Sequence, residues 1–469
     1  MDIKKLSRRD VLRGSAAAGA GLLVAGSGIP VLGQDKPKPD APLPIGTKGK
    51  LTVIHRTEYF EEAQTLFRDQ VTAFAKAKGT ELDISTTNPE AFGDFLGKMS
   101  AAVKAGNPPD FAYTSNVSIP QLHLLDIVED VTDVVDEAVK RYGDIMPGLN
   151  AAKSGRFDGR WKAIPYLGTF TPQFIRGDKL MAKGIDPASL TSWNARRDAA
   201  LAISDPAAGF YGWGMTTNKG GDGWGVCINV VQAFGGHFTD ETGKIVQFNT
   251  PETVAAFEWF VETFDRNGKY AAMLPPGVES WTDTGNNEAY AAGSIGYTQN
   301  AFSIYAAAKK NTPDIFKSTL VLGQPAANNG DNRSGGGVGG WLTIFKGAPN
   351  IDAAKELALD LLDPVKFAKI SSVAGGLFMP AYKNLWTDEL LAIDPNFKII
   401  KDQISVETPF LGASWPAQPS AQVDAIRAQS VLEQAVGNAV SGRMSAADAV
   451  KDAHDKIVQI FEEGGIMQP

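Results

Sequence analysis

Along the first third of the chain, apolar residues switch between two spacings. Leu51-Thr52-Val53-Ile54 is a short run rich in branched side chains and predicts a buried strand. Residues 60–78 then place Phe60, Ala63, Phe67, Val71 and Phe74 three or four positions apart, the spacing of one helix face. Leu82-Asp83-Ile84-Ser85-Thr86 returns to strand. Residues 92–105 return to helix through Phe92, Phe95, Leu96, Met99 and Val103, and Gly106-Asn107-Pro108-Pro109 closes it. Phe111-Ala112-Tyr113-Thr114 is a third strand. Strands alternating with helices over short connections predict a parallel sheet wrapped by helices. Such sheets bind ligands beyond the carboxyl ends of their strands. The segments 55–59, 87–89 and 113–116 are therefore the first places to look.

Further on, residues 159–166 read as a turn into an extended run, because Pro165 restricts its neighbour to extended geometry. This run is a plausible crossing into a second lobe. Thr250 caps a helix whose first position is Pro251, with Val254, Phe257, Val261 and Phe264 as its expected buried stripe. Residues 291–298 read as strand, as does 319–322, a second candidate crossing. Residues 335–340 are glycine-rich and read as a loop before a strand over 341–345, and 352–362 reads as helix. Ser445-Ala446-Ala447-Asp448 resembles a capping box opening a last helix to about residue 463, with Val450, Ile457 and Phe461 inward.

Composition changes the picture chiefly at the N-terminus. Lys4 and Lys5 precede Ser7-Arg8-Arg9-Asp10-Val11-Leu12-Arg13, and a mild small-residue apolar stretch follows over 15–29. This is the pattern of a twin-arginine (Tat) export signal, read as residues 1–33, and it places the mature chain in the periplasm. The stretch is shorter than the ~20 apolar residues a membrane span needs. Residues 34–49, with Pro37, Pro39, Pro42 and Pro44 among charges, form an expected tether. Residues 1–33 hold five basic and two acidic side chains, so their removal takes the net charge from −8 to −11. That acidity argues against nucleic acid and against anionic membrane surfaces. About 435 mature residues exceed what one core serves and imply two lobes. Cys227 is the single cysteine, so no internal disulfide forms; it is read as a small buried residue. His55, His123, His237 and His454 show no metal-ligand spacing, and no metal or cofactor is expected.

The glycines at 335–340 lack the Lys-Ser/Thr of a phosphate loop and precede a strand rather than a helix, so neither nucleotide motif fits. What remains is a backbone that closely approaches either a ligand or packed neighbours. Gly220-Gly221-Asp222-Gly223-Trp224-Gly225 reads as a similar loop. Trp193 and Trp259 read as packing. Trp213, Trp224, Trp281, Trp341 and Trp415 sit in or beside loops rich in Gly, Pro or Asn, and together are expected to supply at least two ligand contacts. An aromatic face among Asn, Asp and Gln suits a sugar, whose ring offers C–H for stacking and hydroxyls at its edge. No Gly-x-Ser-x-Gly elbow is present. A carboxylate pair for glycoside hydrolysis stays open, with Glu58, Glu61 and Glu62 as partners, although Glu61 and Glu62 read better as solvated first-turn residues. Arg56, Lys219 and Arg333 leave an acidic sugar open, while each reads as a solvated surface charge.

Several segments occur in a telling order: Lys104-Ala105-Gly106-Asn107-Pro108-Pro109-Asp110-Phe111, Trp161-Lys162-Ala163-Ile164-Pro165-Tyr166, Phe234-Gly235-Gly236 before Phe248-Asn249-Thr250-Pro251, Gly293-Ser294-Ile295-Gly296-Tyr297, and Gly336-Gly337-Val338-Gly339-Gly340-Trp341. In that order and spacing the chain resembles the extracellular solute-binding proteins of ABC importers, in particular the sugar-binding group that includes maltose-binding protein. The resemblance implies a two-lobed α/β periplasmic-binding-protein fold of type II. Each lobe would be a mostly parallel sheet with flanking helices, joined by a hinge of about three crossings. It implies a first lobe of residues 50–164 plus 323–372 and a second of 165–322 plus 373–469. It further implies a non-catalytic monomer that captures a carbohydrate and delivers it to an inner-membrane permease. By analogy with the family's cleft, the ligand-binding residues are Glu58, Tyr59, Asn88, Tyr113, Ser115, Asn218, Asp222, Trp224, Asn300, Gly337, Trp341 and Trp415. The competing expectation is an exported carbohydrate-active hydrolase or lyase using cleft carboxylates. Many members of the family are lipoproteins or use the general secretory signal; this chain has neither feature.

Overall fold

The computed structural model describes residues 44–87, 92–115, 117–330, 336–407 and 412–469, without the side chains of 92–94. The export signal, most of the tether, Asn88 and Arg333 lie outside the described residues. The chain divides into two compact units, which in described residues are 44–144, 154–167 and 339–373, and 145–153, 168–338 and 374–469. It passes from one to the other inside two of its strands. The strands are β1 (Lys50–Arg56), β2 (Glu81–Thr87), β3 (Phe111–Thr114), β4 (Arg156–Phe157), β5 (Arg160–Trp161), β6 (Ile164–Phe170), β7 (Gln173–Arg176), β8 (Tyr211–Trp213), β9 (Ile295–Gln299), β10 (Thr319–Leu322), β11 (Gly336–Ile344) and β12 (Met379–Pro380).

The larger sheet has the order β12-β6-β11-β3-β1-β2. β1 pairs in parallel with β2 along its whole length and with β3 from Val53 to His55, and the helices Glu61–Ala77 and Phe92–Lys104 make the crossovers. Of the apolar positions read in the first helix, Ala63, Phe67, Val71 and Phe74 are buried, while Phe60, which precedes it, is half-buried. A buried carboxylate locks the entry to this sheet. Asp110 accepts from the backbone N–H and the hydroxyl of Thr52 at 2.8 and 2.7 Å, and from Asn350 at 2.8 and 3.1 Å. Asn350 in turn donates to the carbonyls of Thr47 and Lys50. Order therefore begins before Lys50: Pro44 is buried, Thr47 bridges to Lys50, and the last residues of the expected tether belong to the fold.

β11 runs antiparallel to β3, with Trp341 opposite Thr114. It begins at Gly336, where a loop was expected. The glycines serve close packing: a Cβ at Gly336 would lie 2.6 Å from a methyl of Ile404, and one at Gly340 would lie 3.0 Å from Leu167 and Tyr113. The strand slips between side chains that a larger residue would displace.

The second sheet, in the order β10-β7-β9-β8, corrects the expectation of a mostly parallel sheet in each lobe. β7 is antiparallel to both β10 and β9, and only β8 and β9 run parallel. Apolar spacing shows that a strand exists but not its direction. Direction was legible only where helix and strand alternate regularly, as they do over 50–114. Aromatics fill this unit's core. Trp213 packs against Trp259, Phe264 and Tyr297, Trp259 against Trp193, and the Arg197 guanidinium lies 4.0 Å from the Tyr270 ring centre and 4.7 Å from that of Trp259. Cys227 is fully buried. The helix Pro251–Phe264 starts at the Thr250 cap, but its buried face is Thr253, Ala256, Phe257, Trp259, Phe260, Thr263 and Phe264. Val261 is exposed, because the Trp259 and Phe260 rings turn the buried stripe away from it. The last helix, Ala446–Glu463, opens on Ser445, whose hydroxyl accepts from the Asp448 N–H.

Candidate functional site

In the first unit, charged and phenolic groups collect where β1 and β3 end. Arg56, the last residue of β1, donates from Nη1 to Ser115 Oγ at 2.5 Å, and its Nε stands 3.2 Å from a carboxylate oxygen of Glu58. The Glu58 carboxyl is only 1% exposed. Its backbone N–H is held by the Gln64 side chain from the first turn of the following helix. Neither Glu58 oxygen receives a well-aligned hydrogen bond, and the hydroxyls of Tyr113 and Tyr166 likewise find none. Loss of water raises the Glu58 pKa to about 7; Arg56 opposes the rise most, then the Tyr113 hydroxyl. Burial also pushes the Tyr113 and Tyr166 phenols up. Tyr113 packs between Phe67 and Tyr166, with ring centres 5.1 and 5.4 Å away. Behind them His55 accepts the Arg68 Nε–H on Nε2 at 2.8 Å and donates from Nδ1 to the Arg56 carbonyl at 2.7 Å. Burial depresses its pKa to about 4, so the ring is neutral. Glu61 and Glu62 occupy the first turn of the helix, favourable to its dipole.

The second unit holds a different group, built from amides. The Gly220–Gly225 segment is not a loop: the helix Gly221–Ala233 begins there. Its start is capped by a residue distant in sequence, Asp283, which accepts from the N–H groups of Gly221 and Asp222 at 2.9 and 3.0 Å. A cap from 61 or more residues away leaves no local signal. Asp222 Oδ2 accepts from the amides of Asn286 and Asn300 at 2.9 and 3.0 Å. Asn300 also donates to Asn286 and Asn287. Burial, then the neighbouring Asp283, raises the Asp222 pKa to about 8, and the Asn286 amide partly offsets this. Beside this group the Gln299 side-chain Oε1 accepts from Gln173, Gln324 and Asn229 at 3.0–3.2 Å.

Glu58, Tyr113 and Ser115 are thus brought into one group within the first unit, with Tyr59 next in sequence and 44% exposed. Asp222 and Asn300 are brought into one group within the second. The other proposed contacts have different surroundings. Asn218 spends its amide on the carbonyls of Ser280 and Trp281. Trp224 is buried in the helix, stacked on Phe238 at 6.0 Å, with the Arg427 guanidinium 6.0 Å from its ring. Trp341 is buried in β11, its ring 2.7 Å from where a Cβ on Gly155 would stand. A Cβ on Gly337 would meet nothing within 4 Å. Trp415 is half-buried, edge-on to His237. Trp213 and Trp224 occupy a strand and a helix, where loops or loop junctions were expected, because glycine neighbours here mark tight packing, while Trp341 lies in a strand as read. Arg56 is no solvated charge, being held by Glu58 and Ser115. Sequence reasoning missed Tyr166, Asn286 and Asn287. The Asn286-Asn287 pair after Gly285 was the one available hint.

A family profile for bacterial extracellular solute-binding proteins matches residues 69–399. The chain belongs to that family. Among solved structures, this solute-binding protein is similar to the ABC-transporter solute-binding protein of Thermotoga lettingae TMO bound with α-D-tagatose, at 19% identity over 88% of this chain and 100% of that one, TM-score 0.69. It is similar to maltose-bound MalE3 of T. maritima, at 20% identity over 87% and 98%, TM-score 0.68. It is also similar to the solute-binding protein of Agrobacterium radiobacter K84 in complex with ribitol, at 17% identity over 89% and 99%, TM-score 0.69. Comparison with curated protein sequences gives no match. Among the described residues, no helix of this solute-binding protein is long and apolar enough to cross a membrane, and no three His, Cys, Asp or Glu side chains gather as metal ligands would.

Proposed function

We propose that this solute-binding protein captures a sugar or polyol in the periplasm and delivers it, unaltered, to the permease of an ABC importer. The observation that carries the reading is the Glu58 group. Buried carboxylate oxygens and phenol hydroxyls without aligned partners, gathered near the carboxyl ends of β1 and β3, suit a ligand that both donates and accepts hydrogen bonds, as vicinal hydroxyls do. The relatives of the same fold whose bound molecules are tagatose, maltose and ribitol support the same chemistry.

In this reading the type II fold closes its two lobes on the ligand by a hinge, a population shift driven by contacts made only when both lobes are engaged. Glu58, Tyr59, Tyr113 and Ser115 grip from the first lobe. Asp222 and Asn300 grip from the second, with Asn88, Asn218, Trp224, Gly337, Trp341 and Trp415 as further contacts. The protein is a monomer exported folded through the twin-arginine machinery. The test is a panel of monosaccharides, disaccharides and polyols, followed by tryptophan fluorescence and by analysis of the recovered sugar. A saturable change with intact sugar is the expected result. Product formed at catalytic protein concentration, or no response across the panel, contradicts the reading.

A further inference from the structure

The Glu58 carboxyl is enclosed yet undersupplied. Among the described residues, the groups that act on it are Arg56 from its own segment, Tyr113 from β3 and, beyond Tyr113, Tyr166 from β6. Arg56 is an ion partner at 3.2 Å but is not aligned as a donor, and Arg56 Nε is itself left without a hydrogen bond. Its Nη1 is committed to Ser115. A carboxylate in such a place has lost its water and gained almost no donor, so the proton is its cheapest partner. The flanking residues Thr57 and Tyr59 are exposed, so the segment carrying Glu58 reaches the surface on both sides.

A hydroxylated ligand changes that balance in one direction. Glu58 is already dry, so the ligand cannot desolvate it much further. What the ligand adds is donors, and donors to a carboxylate stabilise its ionised form.

We propose that solute binding at Glu58 is coupled to proton release: at neutrality the free protein shares the Glu58 carboxyl with a proton, and the ligand's hydroxyls replace that proton as the carboxyl's hydrogen-bond donors. The inference rests on the proposed capture of a sugar or polyol and adds a regulatory property to it. The proton goes to solvent, and no bond of the ligand changes. Affinity then rises with pH across neutrality and falls in acid. The rise is about fivefold to tenfold between pH 6 and pH 8 if the ligand lowers the carboxyl pKa from neutrality by one to two units. Asp222 is the other carboxyl of raised pKa among the proposed contacts, so the titration must assign the signal to Glu58 by its loss in a Glu58 variant.

Two measurements on the full chain decide the matter. The first is a carboxyl titration of the free protein by infrared difference spectroscopy, wild type against Glu58→Gln. A carboxyl that titrates near neutrality and is missing from the variant is expected; Glu58 titrating with ordinary surface carboxylates overturns the proposal without any ligand. The second is calorimetry at pH 7 with the tightest member of the sugar and polyol panel, in buffers of differing ionisation enthalpy. Heat that depends on the buffer and corresponds to proton release in the wild type, and that loses its buffer dependence in Glu58→Gln, is the expected result. Binding with buffer-independent heat overturns the coupling and leaves solute capture standing. No binding by any panel member sinks the capture reading, while the titration still decides whether Glu58 holds the proton.

Discussion

The Asp222 carboxyl is stabilised as a neutral acid by burial and by the adjacent Asp283, with its folded pKa raised to about 8. A carboxyl whose folded pKa lies above its unfolded value binds the proton more tightly in the native state. Its contribution to stability is complete below the unfolded pKa of about 4 and is lost as pH rises through the folded value. Asp222→Asn is therefore predicted to be more stable than wild type above pH 8, by about 1–3 kcal/mol, with the gain vanishing near pH 4. Denaturant midpoints at the two pH values check this. A second prediction concerns Asp110. Its two oxygens serve Thr52 and Asn350 in a fully buried position. Asp110→Ala strands those donors and should cost about 3 kcal/mol or more of unfolding free energy.

At the scale of elements, the helix Gly221–Ala233 depends on a side chain it does not contain. Removing the Asp283 carboxylate by Asp283→Ala should cost about 1–2 kcal/mol, the usual loss for an N-cap. It should also bring the Asp222 pKa down, because the like charge beside it disappears. The two consequences are separable by thermal unfolding and by carboxyl titration. β11 offers a packing test. Gly155 touches the Trp341 ring so closely that a methyl there would intrude, and Gly155→Ala should destabilise by about 1–3 kcal/mol. How far these elements were legible follows from the same physics. The helices Glu61–Ala77 and Ala446–Glu463 carry their buried stripe or their cap in their own residues, and the sequence showed both. The helix at Gly221 and the strand at Gly336 read as loops. The Gly336 backbone answers to Ile404 and the cap of the Gly221 helix comes from Asp283, and both partners are distant in sequence. Glu58, Tyr113 and Ser115 could be picked out because they lie at or just beyond the ends of strands. Asn286 and Asn287 could not, since nothing local marks a pair of asparagines as belonging with Asp222 and Asn300.

For the whole molecule, the chain divides into two compact units. Hinge closure, as proposed, predicts a decrease in radius of gyration by small-angle scattering when the ligand of the panel is added, and no decrease with Glu58→Ala at the same ligand concentration. The most direct measurement is a crystal structure of the full chain grown with its tightest-binding sugar or polyol. The account predicts ligand hydroxyls within hydrogen-bond distance of both Glu58 carboxyl oxygens and of the Tyr113 hydroxyl, with the ligand chemically intact. A ligand bound away from Glu58, or one found cleaved, would contradict it.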